Sequence, residues 1–181
     1  MIEDILAYNK KFVKDKKYEP YITSKYPDKK IAIVTCMDTR LIELLPAALG
    51  LKNGDAKIIK NAGGVVVHPF GSVMRSLLIA VYDLKVDEIY IIGHTDCGVQ
   101  QLNCEAMFNK MKDRGVPQEH IELAQHFGID LKDWLTGFDD VNESVISSMD
   151  MVKNHPLMPK DVALYGFILD SVTGELTPIK E

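Results

Sequence analysis

Ile31-Ala-Ile-Val-Thr-Cys36 is a short apolar run that closes on a cysteine, and Ile89-Tyr-Ile-Ile-Gly-His94 repeats the layout with a histidine at its end. Runs of this length, rich in β-branched residues and bounded by polar segments such as Asp28-Lys-Lys30, predict strands buried on both faces. Strands of that kind belong to parallel sheets covered by helices, and the rest of the chain reads outward from them. Residues 31–35 form the first strand, followed by a helix over 41–49 that Gly50 stops. A second strand over 56–60 is entered from the turn Asn53-Gly54-Asp55, and Asn61-Ala-Gly-Gly64 then breaks regular structure.

The spacing of Val73, Leu77 and Val81 predicts a helix over 72–84, ahead of the third strand over 88–92. Helices over 100–112, 117–126 and 141–153 follow, then a fourth strand over 162–169. A turn at Thr173-Gly174 leads to a last strand over 176–179. Strands alternating with helices define an α/β fold. Its mostly parallel central sheet should hold about four parallel strands plus a C-terminal antiparallel edge strand, with helices on both faces. One domain is expected across residues 1–181. Residues 1–27 form an N-terminal helical arm, in which Ile2, Ile5, Leu6 and Val13 line one face. The lysines at 10, 11, 14, 16 and 17 read as a solvated face.

A formal net charge of −5 argues against nucleic acid as a partner, because phosphate neutralisation needs a basic stripe. No apolar run approaches the roughly 18 residues that cross a bilayer, so no membrane partner is expected and cytoplasmic residence is the default. Three cysteines are too few and too odd in number for a disulfide framework, which turns attention to metal binding or catalysis.

Ligands collect in the crevice outside the carboxyl ends of parallel strands. If the two apolar strands are neighbours, Cys36, His94 and Cys97 converge there. Two thiolates and an imidazole are ligands that Zn²⁺ prefers, and a set of three leaves a fourth position for water or substrate. The competing reading is packing, since buried cysteines and satisfied core histidines are common. Asp38 lies two residues from Cys36 and can reach such a metal or its water. Arg40 can hold that carboxylate in a bidentate pair, although an ordinary strand-end ion pair would look the same in sequence.

Cys36-Met-Asp-Thr-Arg40 together with His94-Thr-Asp-Cys97-Gly98 resembles the signature of the β-class carbonic anhydrases. Asn61-Ala-Gly63 resembles the asparagine-alanine-glycine element of that family, and Phe70-Gly-Ser-Val-Met-Arg-Ser76 is similar to its next stretch. The resemblance runs over 31–101 and resumes in the last strands; the short chain is most similar to the small, archaeal-type branch. It implies Cys36, His94 and Cys97 as ligands of one zinc ion per chain, and Asp38 and Arg40 as a catalytic dyad. It implies zinc-dependent reversible hydration of carbon dioxide to bicarbonate and a proton. It also implies a homodimer or higher homo-oligomer in which the N-terminal helix embraces the partner. Asn61 and Gly63 are expected beside the metal or in a plain turn; Asp96, between two of the ligands, is expected to orient the loop, to support the ligands from behind or to face solvent, without being a ligand itself.

Three rivals stand beside this reading. One is a carbonyl sulfide or carbon disulfide hydrolase on the same scaffold, and another is a non-catalytic zinc protein whose site Asp38 closes as fourth ligand. The third is a thiol redox protein using Cys36 and Cys97. Val65 and Val66 are candidates for an apolar pocket, with core packing as their alternative. His68 is a candidate proton relay or plain surface, and Cys104 a semi-buried apolar residue. His120, His126 and His155 read as surface or helix histidines, and Trp134 as a core or interface aromatic.

Overall fold

The computed structural model describes residues 1–179 other than 127 and 129. Strands β1 (Ile31–Cys36), β2 (Ala56–Asn61), β3 (Glu88–His94), β4 (Ala163–Leu169) and β5 (Leu176–Pro178) form one sheet of order β2-β1-β3-β4-β5. The first four are parallel, and β5 runs antiparallel on β4. Burial follows position. Five of the six residues of β1, inside the sheet, are buried, whereas those of β2 at the edge are partly buried or exposed. Pro178 sits on the opposite edge strand, the place where a sheet tolerates proline.

From β1 the chain winds outward to β2, then returns across β1 to β3 on its other side. The winding direction therefore reverses between β1 and β3. At such a switch point the two loops leave in opposite directions and open a crevice. Thr35 pairs with Ile92, so the last residues of both strands reach this crevice together.

Helix α1 is Ile2–Lys14, α2 Leu41–Ala48 and α3 Ser72–Tyr82. α4 (Cys104–Asp113), α5 (Gln118–Gln125), α6 (Leu131–Leu135) and α7 (Val141–Lys153) complete the set. Helix α2 packs Leu41 and Leu45 over Ile33, Ile92 and Leu169. The opposite face carries α3 and α7, whose Met74, Leu77, Ala80, Val145 and Val152 cover Ala32, Val34, Ile89 and Ile91. Each fully buried Leu or Ile contributes roughly 1.5–3 kcal/mol. These two layers, rather than any surface ion pair, therefore fix where Cys36 and His94 stand. A satellite cluster of Cys104, Phe108 and Ile121 holds α4–α6 together.

Several expectations are corrected. Helix α4 starts at Cys104 rather than at 100, because Asn103 caps it by accepting the Ala106 N–H at 3.1 Å. Residues 97–102 turn instead, with Gln100 N–H on Cys97 O at 3.0 Å and Leu102 N–H on Val99 O at 3.1 Å. Helix α6 was not anticipated. It has five residues, too few for periodicity to register, and depends on Asp130 accepting the N–H groups of Lys132 and Asp133. His155 is no surface group: it is 2% exposed beyond the C-terminus of α7. Trp134 stands 65% exposed on its own chain, not in the core. Helix α1 forms as expected but buries none of its residues, leaving Ile2, Ile5, Leu6 and Val13 each more than half exposed.

Candidate metal centre

Cys36 closes β1, His94 closes β3, and Cys97 follows in the next loop, so the switch-point crevice receives all three. Their ligand atoms lie within 4.8 Å of one another, all three residues are buried, and the two sulfurs are 3.8 Å apart. The imidazole orientation is decided by its neighbour. Nδ1 of His94 lies 2.8 Å from the Thr95 carbonyl, which only accepts, so the proton sits on Nδ1. Nε2 is then a bare lone pair, and it is buried without a hydrogen-bond partner. A buried acceptor left unpaired costs about 1–3 kcal/mol. A cation beside two sulfurs relieves that cost and uses the donor set that suits zinc. The residues therefore fit a zinc ion.

The two thiols differ. Burial pushes the Cys36 thiol up, but the His94 imidazole when it also carries a proton on Nε2, the backbone N–H groups of Asp38 and Gly63, and Cys97 together outweigh it and bring it down to about 7. Burial pushes the Cys97 thiol up, and the charge of Cys36 adds to the rise. Protons and metal compete for these atoms, so acid weakens the site.

Asp38 and Arg40 form the pair anticipated from sequence. Arg40 donates from Nε to Oδ1 at 3.0 Å, from its backbone N–H to Oδ1 at 2.9 Å, and from Nη2 to Oδ2 at 2.8 Å. These bonds hold the Asp38 carboxyl down to about 2, with burial opposing. A depressed carboxyl favours the folded state fully above the ordinary carboxylate range and loses that contribution as pH falls from about 4 towards 2. Near neutrality Asp38 is an acceptor and nothing else. Its Oδ2 lies 4.0 Å from His94 Nε2, at the rim of the three-ligand cluster.

Asp96 orients the loop that carries Cys97, one of the roles open to it in sequence, through contacts to Arg40 that the sequence did not show. Arg40 Nη1 donates to Asp96 Oδ2 and Nη2 to the Asp96 carbonyl, both at 2.8 Å. Arg40 thus ties the loop after β1 to the loop carrying Cys97. Asp96 has a φ of +53°, uncommon for a residue with a side chain, and these bonds hold it there.

Asn61 is structural as well as near the site. Its side chain donates to Val65 O at 2.7 Å and accepts the Val65 N–H at 3.0 Å, closing the loop 61–65 like a clasp. Within that loop Gly63 presents its N–H to Cys36, and Gly64 approaches β1 so closely that a Cβ would lie 2.7 Å from Cys36 N. Val66 belongs to the core. His68 accepts the Phe70 N–H at its Nδ1 at 3.1 Å, a local turn contact. Cys104 is buried among apolar side chains away from the cluster, as expected.

A doubly wound sheet with a buried Cys-His-Cys cluster at its switch point defines a metal-centred α/β enzyme. Comparisons with known proteins narrow the class. A carbonic anhydrase family profile matches residues 31–176. YvdA of Bacillus subtilis (strain 168), which carries a provisional carbonic anhydrase name, is 56% identical over 175 residues, covering 97% of this chain and 89% of that protein. A carbon disulfide hydrolase of Acidithiobacillus thiooxidans is 30% identical over 163 residues, covering 83% of this chain and 77% of that protein. Among solved structures, β-carbonic anhydrase isoform I of Trichomonas vaginalis superposes with a TM-score of 0.89 at 34% identity, covering 99% of this chain and 97% of that one. The chain belongs to the β-class carbonic anhydrases, and zinc is the cofactor of that family.

Proposed function

We propose that this chain hydrates carbon dioxide reversibly to bicarbonate and a proton, with zinc held by Cys36, His94 and Cys97. The observation that carries the reading is Asp38: a carboxylate kept ionised by Arg40, with an oxygen 4.0 Å from the unpaired nitrogen of His94. Zinc, when bound, supplies an acidified water as the nucleophile. Asp38 Oδ2 accepts the remaining proton of that nucleophile and aims an oxygen lone pair at the substrate carbon. Arg40 keeps Asp38 from turning inward to become a fourth ligand. The Nδ1 contact to Thr95 fixes the His94 tautomer, as partners of ligating histidines do.

The arm α1 covers a partner chain in a homodimer or higher homo-oligomer. The support is its apolar face, exposed on its own chain. The support for cytoplasmic residence is three cysteines, none of them in a disulfide, a state that a reducing compartment preserves. Among the described residues no helix is long and apolar enough to cross a membrane.

The test is a comparison of carbon dioxide, carbonyl sulfide and carbon disulfide on the zinc-loaded protein, with its mass measured by light scattering. Carbon dioxide hydration that strengthens as the medium becomes alkaline, on a dimer or larger, is expected. Turnover of the sulfur gases without carbon dioxide hydration would replace the assignment. Inactivity on all three gases with full zinc would mean that Asp38 closes the site. A monomer would remove the role given to α1.

A further inference from the structure

The loop that carries Cys97 is not held by the sheet alone. Gly137 donates its N–H to Leu102 O at 3.0 Å, Gln101 donates its N–H to Phe138 O at 2.9 Å, and Gln100 Nε2 donates to Asp139 O at 2.9 Å. Residues 137–139 are thus strapped along residues 99–102, directly after the Cys97-Gly98 pair. The approach is backbone to backbone, since a Cβ on Gly137 would fall on the Val99 carbonyl oxygen. Gln101 has a φ of +58°, held by the same strap.

The strap delivers one large side chain to the centre. Phe138 packs in the cluster that contains Cys36 and Cys97, beside Val99. Its ring carbon Cε1 lies 3.2 Å from where a Cβ on Gly63 would stand, and Val65 and Val99 are each 3.5 Å from the same point. Gly63 lies in the loop that abuts the end of β1, where a Cβ on the adjacent Gly64 would stand 2.7 Å from Cys36 N. An aromatic ring and two valines therefore meet around Gly63, beside the cluster that contains Cys36 and Cys97, and differ in character from the charged pair Asp38 and Arg40.

We infer that Phe138, with Val65 and Val99, forms the apolar wall against which a linear, uncharged triatomic substrate rests, and that the bulk of Phe138 sets which such molecules fit. This rests on the proposed function and adds to it a specificity residue. Carbon dioxide is the slimmest of the three gases, and each sulfur in place of oxygen lengthens and widens the molecule. A misfit of about one methylene in an apolar pocket changes selectivity roughly 10- to 200-fold. Phe138→Ala should therefore raise the kcat/KM ratio of carbonyl sulfide over carbon dioxide by about 10-fold or more. Phe138→Leu should lie between Phe138→Ala and wild type.

A binding readout separates this inference from the activity assignment. Cyanate and thiocyanate are linear anions that differ by oxygen against sulfur. Their relative affinities for the zinc-loaded wild type, Phe138→Ala and Phe138→Leu can be measured by titration calorimetry. The expected result is a shift towards thiocyanate in both variants, larger in Phe138→Ala, with wild-type zinc content and an unchanged Tm in at least Phe138→Leu. If the wild type turns over none of the gases but the anion preference still shifts, the assigned activity fails and the wall stands. If the folded, zinc-loaded variants keep the wild-type anion preference, Phe138 is core packing only and the inference is wrong.

Discussion

Asp38→Ala should keep its zinc and lose about 10²- to 10⁴-fold of the carbon dioxide hydration rate, the range that a positioned proton acceptor contributes. The ligand atoms come from Cys36, His94 and Cys97, and removing Asp38 touches none of them. Arg40 stays anchored after the change, because its two contacts to Asp96 at 2.8 Å do not involve Asp38. The mutant should therefore be folded, metal-loaded and slow. Asp38→Asn makes the companion test. It preserves shape but donates on one side, so it should also be slow, with the Arg40 contact weakened. Stopped-flow rates with zinc stoichiometry on the same samples decide the matter. Zinc lost together with rate would make Asp38 a ligand, and an unchanged rate would leave it no part in the chemistry.

Gly64→Ala is the second large effect, and it reads through stability and metal content. Its φ is +67°, and the added Cβ would lie 2.7 Å from Cys36 N and 2.8 Å from the Thr35 carbonyl carbon. Both are backbone atoms of β1, a central strand that cannot swing aside. Left-handed strain costs roughly 1–2 kcal/mol, and overpacking of a tight site typically adds about 1–3 kcal/mol. The sum is about 2–5 kcal/mol, which for a chain of this size lowers Tm by roughly 4–20 °C. Whatever relief β1 finds moves Cys36, so zinc affinity should fall as well. Gly50→Ala is the control. Gly50 has nearly the same φ, +62°, with nothing within 4 Å of an added Cβ. It should show the strain alone, with zinc retained. Equal Tm losses in the two variants would mean that the close approach of Gly64 to β1 has no energetic weight.

The legible parts of this protein are those in which one residue type repeats a local rule. β1 and β3 are apolar on consecutive positions because both faces are covered, and that is visible without any partner. Cys36, His94 and Cys97 could be singled out because each stands at the end of such a run or just after it. Their convergence depends on β1 and β3 being neighbours, which is a property of strand order and not of any segment. The Asp38–Arg40 pair was readable from a spacing of two. Its second anchor, Asp96, was not, because the contact spans 56 residues between two loops. Helix α6 escaped notice because five residues carry no period, and its cap is a single Asp130 side chain. Phe138 and Gly137 were unreadable for a related reason. Their importance comes from a strap against residues 99–102 made mostly by backbone groups, which any sequence could supply. His155 looked like a surface group because burial of a lone histidine beyond a helix end leaves no pattern in the chain.

The most direct test of the central claim is stopped-flow carbon dioxide hydration by the full-length protein. It should be measured as purified, after removal of metal by a chelator, and after zinc is returned, with zinc counted each time. The account predicts a rate that follows zinc up to one ion per chain, vanishes on chelation and returns with zinc. A folded chain carrying its full zinc that leaves carbon dioxide unhydrated across the neutral and alkaline range would contradict it.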